Sequence, residues 1–137
     1  MPANRLPDLL LVEPETLLRR TIAMTAHGAQ LAHMHEATNA AAARGLLSRR
    51  RFDGAVIALD LDTPKEQGGP LAMLDLLQDA RSPADAAIPV AVMVDRCDAM
   101  LLASLRTYGV SRVIIKPVRA RLVIEAIADL GRAVRTG

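Results

Sequence analysis

Four charged residues stand directly after apolar runs of the sequence, and their types suit phosphoryl chemistry. They are Glu13, Asp60, Asp95 and Lys116. Carboxylates are the ligands that a hard divalent cation prefers, and an ammonium group beside them can offset the negative charge of a transferring phosphoryl group. These residues are far apart in the chain, so they can act together only if the fold brings the ends of the apolar runs to one place.

The apolar runs and the segments between them alternate regularly. We predict strands at Leu9–Val12, Gln30–Met34, Gly54–Leu59, Ile88–Val94 and Val110–Ile115. Most of these runs are continuously apolar, which is typical of strands buried on both faces. A helical pattern follows each run, so we predict a doubly wound α/β fold of (βα)5 type with a five-stranded parallel sheet. The carboxyl ends of parallel strands meet at one edge of such a sheet, where ligands bind.

The helices carry recognisable ends. They are predicted at Glu15–Ala26, Thr38–Arg49, Pro70–Ala80, Asp98–Tyr108 and from Arg119 onward, and Ser82-Pro83 is expected to break the third. Thr38 or Asn39 suits the N-cap of the second helix, and Asp98 suits that of the fourth. Gly109 is expected to end the fourth helix.

Composition limits the classes of function. The length of 137 residues predicts a single domain, residues 1–137, with its core at about 8–135. Aromatic residues make up 1% and the net charge is +2, which argues against a nucleic-acid partner. The single cysteine, Cys97, excludes an internal disulfide and is typical of a reducing cytoplasm. No apolar run reaches the roughly 18–20 residues that a membrane span needs.

Three other features bear on a metal site, a nucleic-acid contact and a nucleotide site. His33 and His35 are two residues apart, a spacing that places two side chains on one face of a strand, and they could form half of a metal site, but no further ligands converge on them. The run Arg49-Arg50-Arg51 is expected to be a solvated helix end that complements the helix dipole. The turn Glu13-Pro14-Glu15-Thr16 contains no glycine-rich phosphate loop, which argues against a nucleotide- or flavin-binding enzyme.

Four segments, in order, resemble the receiver domains of two-component response regulators. They read Leu-Leu-Leu-Val-Glu at 9–13, Phe-Asp-Gly-Ala-Val-Ile-Ala-Leu-Asp-Leu-Asp-Thr-Pro at 52–64, Ile-Pro-Val-Ala-Val-Met-Val at 88–94 and Gly-Val-Ser-Arg-Val-Ile-Ile-Lys-Pro-Val at 109–118. The resemblance covers about residues 8 to 135. It implies a flavodoxin-like receiver fold with the strand order 2-1-3-4-5.

The resemblance also implies a role for each residue after the strands. Asp60 would be the phosphoacceptor, taking a phosphoryl group from a histidine kinase or a phosphotransfer protein. Glu13, Asp60 and the backbone carbonyl of Asp62 would hold Mg²⁺. Lys116 would contact the phosphoryl oxygens and pair with Asp60 in the resting site, and its bond to Pro117 is often cis in such domains.

Three positions depart from the usual pattern of the family. Pro14 stands where a second acid is usual and offers no carboxylate, which weakens Mg²⁺ binding. Val94 stands where a serine or threonine hydroxyl contacts the phosphoryl group, and Val113 stands where an aromatic switch residue is usual. Without the hydroxyl and the ring, the usual route from phosphorylation to a change of surface is absent.

Two functions therefore stay open from the sequence. One is a single-domain response regulator that is phosphorylated on Asp60 and contacts a downstream protein, with no catalysis beyond its own phosphorylation and dephosphorylation. The alternative is a pseudo-receiver that serves as a binding or dimerisation module without phosphorylation. The mixed charges of the last two helices fit a homodimer interface and a solvated surface equally well. Neither function calls for nucleic acid or a membrane.

Overall fold

The computed structural model describes residues 5–80 and 87–136, with side chains up to Arg132 in the last helix. The strands are β1 (Asp8–Val12), β2 (His33–Ala37), β3 (Gly54–Ala58), β4 (Val90–Val94) and β5 (Arg112–Ile115). The helices are α1 (Thr16–Gly28), α2 (Ala40–Arg49), α3 (Ala72–Ala80), α4 (Ala99–Thr107) and α5 (Ala120–Thr136), with a short 3₁₀ turn at Lys65–Gln67. The helix break predicted at Ser82-Pro83 lies outside the described residues.

The five strands form one parallel sheet in the order β2-β1-β3-β4-β5, which confirms the predicted fold. In the register of the sheet, Val12 lies opposite Ala37 on β2 and Ile57 on β3. Met93 on β4 lies opposite Ala58 on one side and Ile114 on the other. All four ladders are parallel, so every strand ends at the same edge of the sheet, which we call the carboxyl edge.

Alternating side chains build a core on each face of the sheet. The core beside α1 and α5 contains Leu9, Leu11, Val56, Met93, Ile22 and Ile127. The core beside α2, α3 and α4 contains Leu10, Val12, Ile57, Val92, Leu74 and Leu105. Because both faces are covered, the strands read as unbroken apolar runs in the sequence. No helix in residues 5–80 and 87–136 is long and apolar enough to cross a bilayer.

The predicted helix ends are confirmed at three positions. The side chain of Asn39 accepts a hydrogen bond from the backbone N–H of Ala42 at 2.9 Å, and that of Asp98 accepts one from Leu101 at 2.8 Å. Each bond satisfies an N–H group that the first turn of a helix leaves without a partner. Gly109 follows α4 with a φ of +76°, a conformation that glycine adopts without steric cost.

Strand β2 lies three residues further along the chain than predicted, at His33–Ala37 instead of Gln30–Met34. The end of α1 explains the shift. Leu31 donates its N–H to the carbonyl of Ala26 at 3.0 Å, and Gln30 has a positive φ of 54°. These residues therefore still close the helix, and the extended strand begins only after them.

Candidate functional site

The carboxylate of Glu13 is the most deeply buried charged group at the carboxyl edge. Glu13 directly follows β1, and the residue has 0% solvent exposure. Its Oε2 accepts a hydrogen bond from the N–H of Glu15 at 2.9 Å, and its Oε1 lies 2.8 Å from Nζ of Lys116. The contact with Lys116 is an ion pair and not an aligned hydrogen bond. A buried carboxylate is costly unless it is paired, so Lys116 allows Glu13 to remain charged there.

Lys116 reaches Glu13 across the end of the sheet. Its backbone N–H donates to the carbonyl of Val94 at 2.8 Å, and its peptide bond to Pro117 is cis, as the resemblance implied. Strands β3 and β4 lie between β5 and β1, so three strand spacings separate the two residues. Neighbouring strands are about 4.8 Å apart, and the two side chains therefore bridge roughly 14 Å. The Lys116 side chain is 25% exposed, so only its end of the pair contacts solvent.

Arg19 holds the backbone of Glu13 from the opposite side, and sequence reasoning missed it. This buried arginine on α1 donates from Nη1 to the carbonyl oxygen of Glu13 at 3.0 Å. Its Nε lies 3.1 Å from Oε1 of Glu36 on β2, and Arg20 pairs with the other oxygen of Glu36. The signal was present in the sequence. Arg19 is three residues before Ile22, on the face of α1 that the apolar residues bury.

Asp60 stands apart from the Glu13–Lys116 pair. Strand β3 ends at Ala58, and Asp60 lies in the exposed turn that follows. Its Oδ1 accepts from the N–H of Asp62 at 2.9 Å, and its carbonyl accepts from Oγ1 of Thr63 at 2.7 Å. Among the described residues Asp60 forms no ion pair, so its carboxylate stabilises its own turn.

The expected resting pair between Lys116 and Asp60 is therefore wrong, since Lys116 binds Glu13. Strand register gives the physical reason. Val12 lies opposite Ile57, so the next position on each strand places Glu13 beside Ala58 and not beside Asp60. Ala58 packs against the same core as the apolar residues of β1 that alternate with Glu13. The β3 position nearest to the buried carboxylate thus carries a methyl group.

The residues at the carboxyl edge do not fit the Mg²⁺ ligand set that the resemblance implies. Mg²⁺ requires a near-octahedral shell of oxygens and usually keeps several waters. Glu13 has no exposure and both of its carboxylate oxygens are engaged, whereas Asp60 and Asp62 lie in the exposed turn. Pro14 adds no carboxylate. Across the described ranges, no group of three or more His, Cys, Asp or Glu residues could hold a metal ion.

Val94 and Val113, the two positions where switch residues were expected, are packing residues. Val94 has 0% exposure and belongs to the core beside α2, α3 and α4. Val113 is partly buried and packs against the same core. Neither side chain can donate or accept a hydrogen bond, so these positions cannot signal a phosphoryl group by the hydroxyl and aromatic route.

A shallow groove of about 320 Å³ lies beside the carboxyl edge, between the loop after β3 and the start of α4. It is lined by Leu61, Pro70, Arg96, Cys97, Asp98 and Leu101. Nη2 of Arg96 lies 3.4 Å from Oδ1 of Asp62, and both side chains are largely exposed. Cys97 is partly buried and lies in the loop between β4 and α4. Asp95 is exposed, and Asp98 instead caps the helix.

His33 and His35 both lie on β2. His35 belongs to a polar cluster at the amino end of the sheet. Its Nε2 lies 3.0 Å from Oδ1 of Asp8, and Nη2 of Arg50 lies 3.1 Å from Oδ2. Burial opposes the ionisation of Asp8, but the hydrogen bond with His35 and the charge of Arg50 outweigh it and lower its pKa below 3.8. The cluster is therefore an ion-pair network, remote from the carboxyl edge.

Comparisons by sequence identify no relative. No protein-family model matches the chain, and no curated protein matches it.

Solved structures similar to this chain include several receiver domains. The signal receiver domain of a signal transduction histidine kinase from Syntrophus aciditrophicus has a TM-score of 0.74 at 17% identity, covering 96% of this chain and 94% of that one. The receiver domain of a Francisella response regulator has a TM-score of 0.74 at 14% identity, covering 93% and 98%. A CheY-like response regulator receiver domain from Methanospirillum hungatei has a TM-score of 0.73 at 15% identity, covering 96% and 98%. The fold is that of receiver domains.

Proposed function

We propose that this chain is a receiver-fold signalling module that acts by protein–protein contact, and that its contacts do not depend on phosphorylation of Asp60. The observation that carries the proposal is the Glu13–Lys116 ion pair, with 2.8 Å between Oε1 and Nζ. In this arrangement Lys116 neutralises the buried carboxylate of Glu13 and does not contact Asp60. Asp60 is bound into its own exposed turn.

Phosphorylation of Asp60 by a histidine kinase or a phosphotransfer protein is the second candidate function. The exposure of Asp60 at the carboxyl edge favours it, because a partner could reach the carboxylate. In that reaction an Asp60 carboxylate oxygen would form a bond to phosphorus while the bond from phosphorus to the imidazole nitrogen of the partner breaks. Hydrolysis of the resulting acyl phosphate would return the carboxylate and release inorganic phosphate.

The surface of α4, β5 and α5 offers a place for protein contact. Ile115 on β5 is 54% exposed and Leu122 on α5 is 44% exposed, so apolar side chains face solvent there. Between the same two elements, Nη1 of Arg112 on β5 lies 2.7 Å from Oδ2 of Asp129 on α5. Exposed apolar groups together with an ion pair on the same strand and helix fit a downstream protein target or a second copy of this chain.

A titration with Mg²⁺ and beryllofluoride, a mimic of the phosphoryl group, separates the two candidates. Amide NMR resonances of the wild type, Asp60→Asn and Asp62→Asn would be followed to saturating concentrations. Asp62→Asn is the matched control, because it removes a carboxylate from the same exposed turn. We expect no resonance around Asp60, Glu13 or Lys116 to shift in any of the three proteins.

Shifts around Asp60 that vanish in Asp60→Asn and persist in Asp62→Asn would overturn the proposal in favour of phosphorylation. If such shifts spread into α4 and α5, the phosphoryl mimic would change the proposed contact surface by a route other than Val94 and Val113.

A further inference from the structure

We propose that Lys116 takes the place of a metal ion as the cation that neutralises Glu13. We further propose that divalent metal ions do not bind there because Ala58 supplies no second carboxylate. The inference deepens the proposed function and rests on it, because contacts that need no phosphorylation also need no metal at this edge. Its basis is the ion pair itself together with the strand register around it.

The small side chain of Ala58 leaves the path between Lys116 and Glu13 free. To reach β1 from β5, the lysine side chain must cross the ends of β4 and β3. Alternation along β3 places Ala58 on the face of Val56, and alternation along β5 places Lys116 on the face of Ile114. Val56 and Ile114 share one core, so Ala58 lies on the side of the sheet that the lysine crosses. A larger or charged side chain at this position would contact the lysine first.

Lys116 already supplies the positive charge that Glu13 needs. The carboxylate has no solvent exposure, and its two oxygens are occupied by the N–H of Glu15 and by Nζ of Lys116. A divalent ion would have to displace the ammonium and would then find a single carboxylate. Affinity for such ions depends on the number and charge of the oxygen ligands, so one carboxylate beside a competing cation gives a poor site.

A carboxylate at position 58 would reverse this balance. We place it beside Glu13 by extending the register one position beyond Val12 and Ile57, the last pair of the β1–β3 ladder. Two adjacent carboxylates repel each other and bind a cation in common, so a divalent ion would gain a second charged ligand. Asparagine at the same position has nearly the same shape and lacks the charge. The pair Ala58→Asp and Ala58→Asn therefore isolates the effect of charge.

Mn²⁺ titration tests the inference directly. Mn²⁺ broadens the NMR resonances of nearby nuclei, so it reports both affinity and location, and it would be added up to about 1 mM, the range of weak protein cation sites. For the wild type and for Ala58→Asn we expect no saturable broadening around Glu13. For Ala58→Asp we expect binding at least about tenfold tighter than in the wild type, with broadening centred on Glu13 and residue 58.

Two results would overturn the inference: saturable broadening at Glu13 in the wild type, or equal Mn²⁺ binding by Ala58→Asp and Ala58→Asn. If Ala58→Asp does not fold, the titration is carried out on Lys116→Met, which removes the competing ammonium. We then expect Mn²⁺ to bind at Glu13 more tightly than in the wild type. Mn²⁺ affinity no higher than that of the wild type would overturn the inference. The proposed function fails separately, through an effect of beryllofluoride that depends on Asp60. Mn²⁺ binding at Glu13 without such an effect would sink only the inference.

Discussion

Nζ of Lys116 lies 2.8 Å from Oε1 of Glu13, and the two partners differ sharply in their access to solvent. Glu13 is fully buried, whereas the side chain of Lys116 is 25% exposed. Removing the lysine would leave a buried carboxylate with the N–H of Glu15 but without a compensating positive charge, and removing the glutamate would leave an ammonium that water can reach. The energetic cost of breaking the pair therefore depends strongly on which residue is changed.

The first prediction concerns this asymmetry. Lys116→Met should lower the free energy of unfolding by about 3 kcal/mol, because it strands the buried carboxylate. Glu13→Gln should cost less, about 1–2 kcal/mol, because the amide keeps a hydrogen-bonding group in place. The double variant should be more stable than the sum of the single losses indicates. Urea unfolding of the four proteins measures each value and the coupling between the residues.

Lys65→Met is the matched control, because Lys65 is the other lysine of the chain and lies exposed in the loop after β3. It should change stability by no more than about 0.5 kcal/mol. Equal losses for Lys116→Met and Lys65→Met would show that the ion pair is not buried in solution.

The fold and part of the site could be predicted because the ends of the buried strands are marked in the sequence by the change from apolar to charged residues. Unbroken apolar runs located β1, β3, β4 and β5, and their ends correctly brought Glu13 and Lys116 to one edge. Val94 was likewise predicted at the end of β4, where the structure places it. These successes depend on the burial of the strands on both faces, which the sequence records as continuous apolar runs.

Contacts between side chains of different strands could not be predicted in the same way. The partner of Lys116 depends on register, and a run of apolar residues does not record which residue of one strand lies opposite which residue of the next. The resemblance implied Asp60 as the resting partner, whereas Lys116 pairs with Glu13, and the register of β1 and β3, extended by one position, brings Ala58 and not Asp60 beside Glu13. Arg19 was missed because its place on the apolar face of α1 indicates burial but does not identify its acceptors, which only the fold brings to it.

The second prediction concerns Arg19. Arg19→Met should lower the free energy of unfolding by about 2 kcal/mol, because it leaves the carbonyl of Glu13 and the carboxylate of Glu36 without their buried donor. Arg20→Met is the matched control, since Arg20 also pairs with Glu36 but its side chain is 52% exposed. Exposed pairs contribute little, so the control should cost less than about 1 kcal/mol. Chemical denaturation of both variants is the measurement, and a larger loss for Arg20→Met would contradict the assignment.

The third prediction concerns pH. The folded pKa of Asp8 lies below 3.8, because the hydrogen bond with His35 and the charge of Arg50 outweigh the opposing effect of burial. The folded protein therefore releases this proton more readily than the unfolded chain. The resulting stabilisation is fully present above pH 3.8 and is lost as the pH falls through the lowered value.

Asp8→Asn should accordingly be less stable than the wild type at neutral pH, by about 1–2 kcal/mol, and the difference should shrink as the medium becomes acidic. Asp62→Asn, which removes an 84% exposed side chain, should track the wild type at every pH. Thermal unfolding across the acid range tests this. A stability difference for Asp8→Asn that grows on acidification would have the wrong sign for the ion-pair network.

The fourth prediction uses the fact that the chain has only two lysines, Lys65 and Lys116. Reductive methylation labels free amines, and mass spectrometry of peptides reports each lysine separately. Lys116 should react more slowly than the exposed Lys65, because its ammonium is held against the Glu13 carboxylate and its side chain is three-quarters buried. Glu13→Gln removes the attraction and should raise the rate at Lys116 towards that at Lys65. Asp60→Asn should leave both rates unchanged, since Asp60 does not contact the lysine. Faster labelling of Lys116 in Asp60→Asn than in Glu13→Gln would instead make Asp60 the partner of Lys116 in solution. The carboxyl edge would then have the Lys116–Asp60 pair that the resemblance to receiver domains implies.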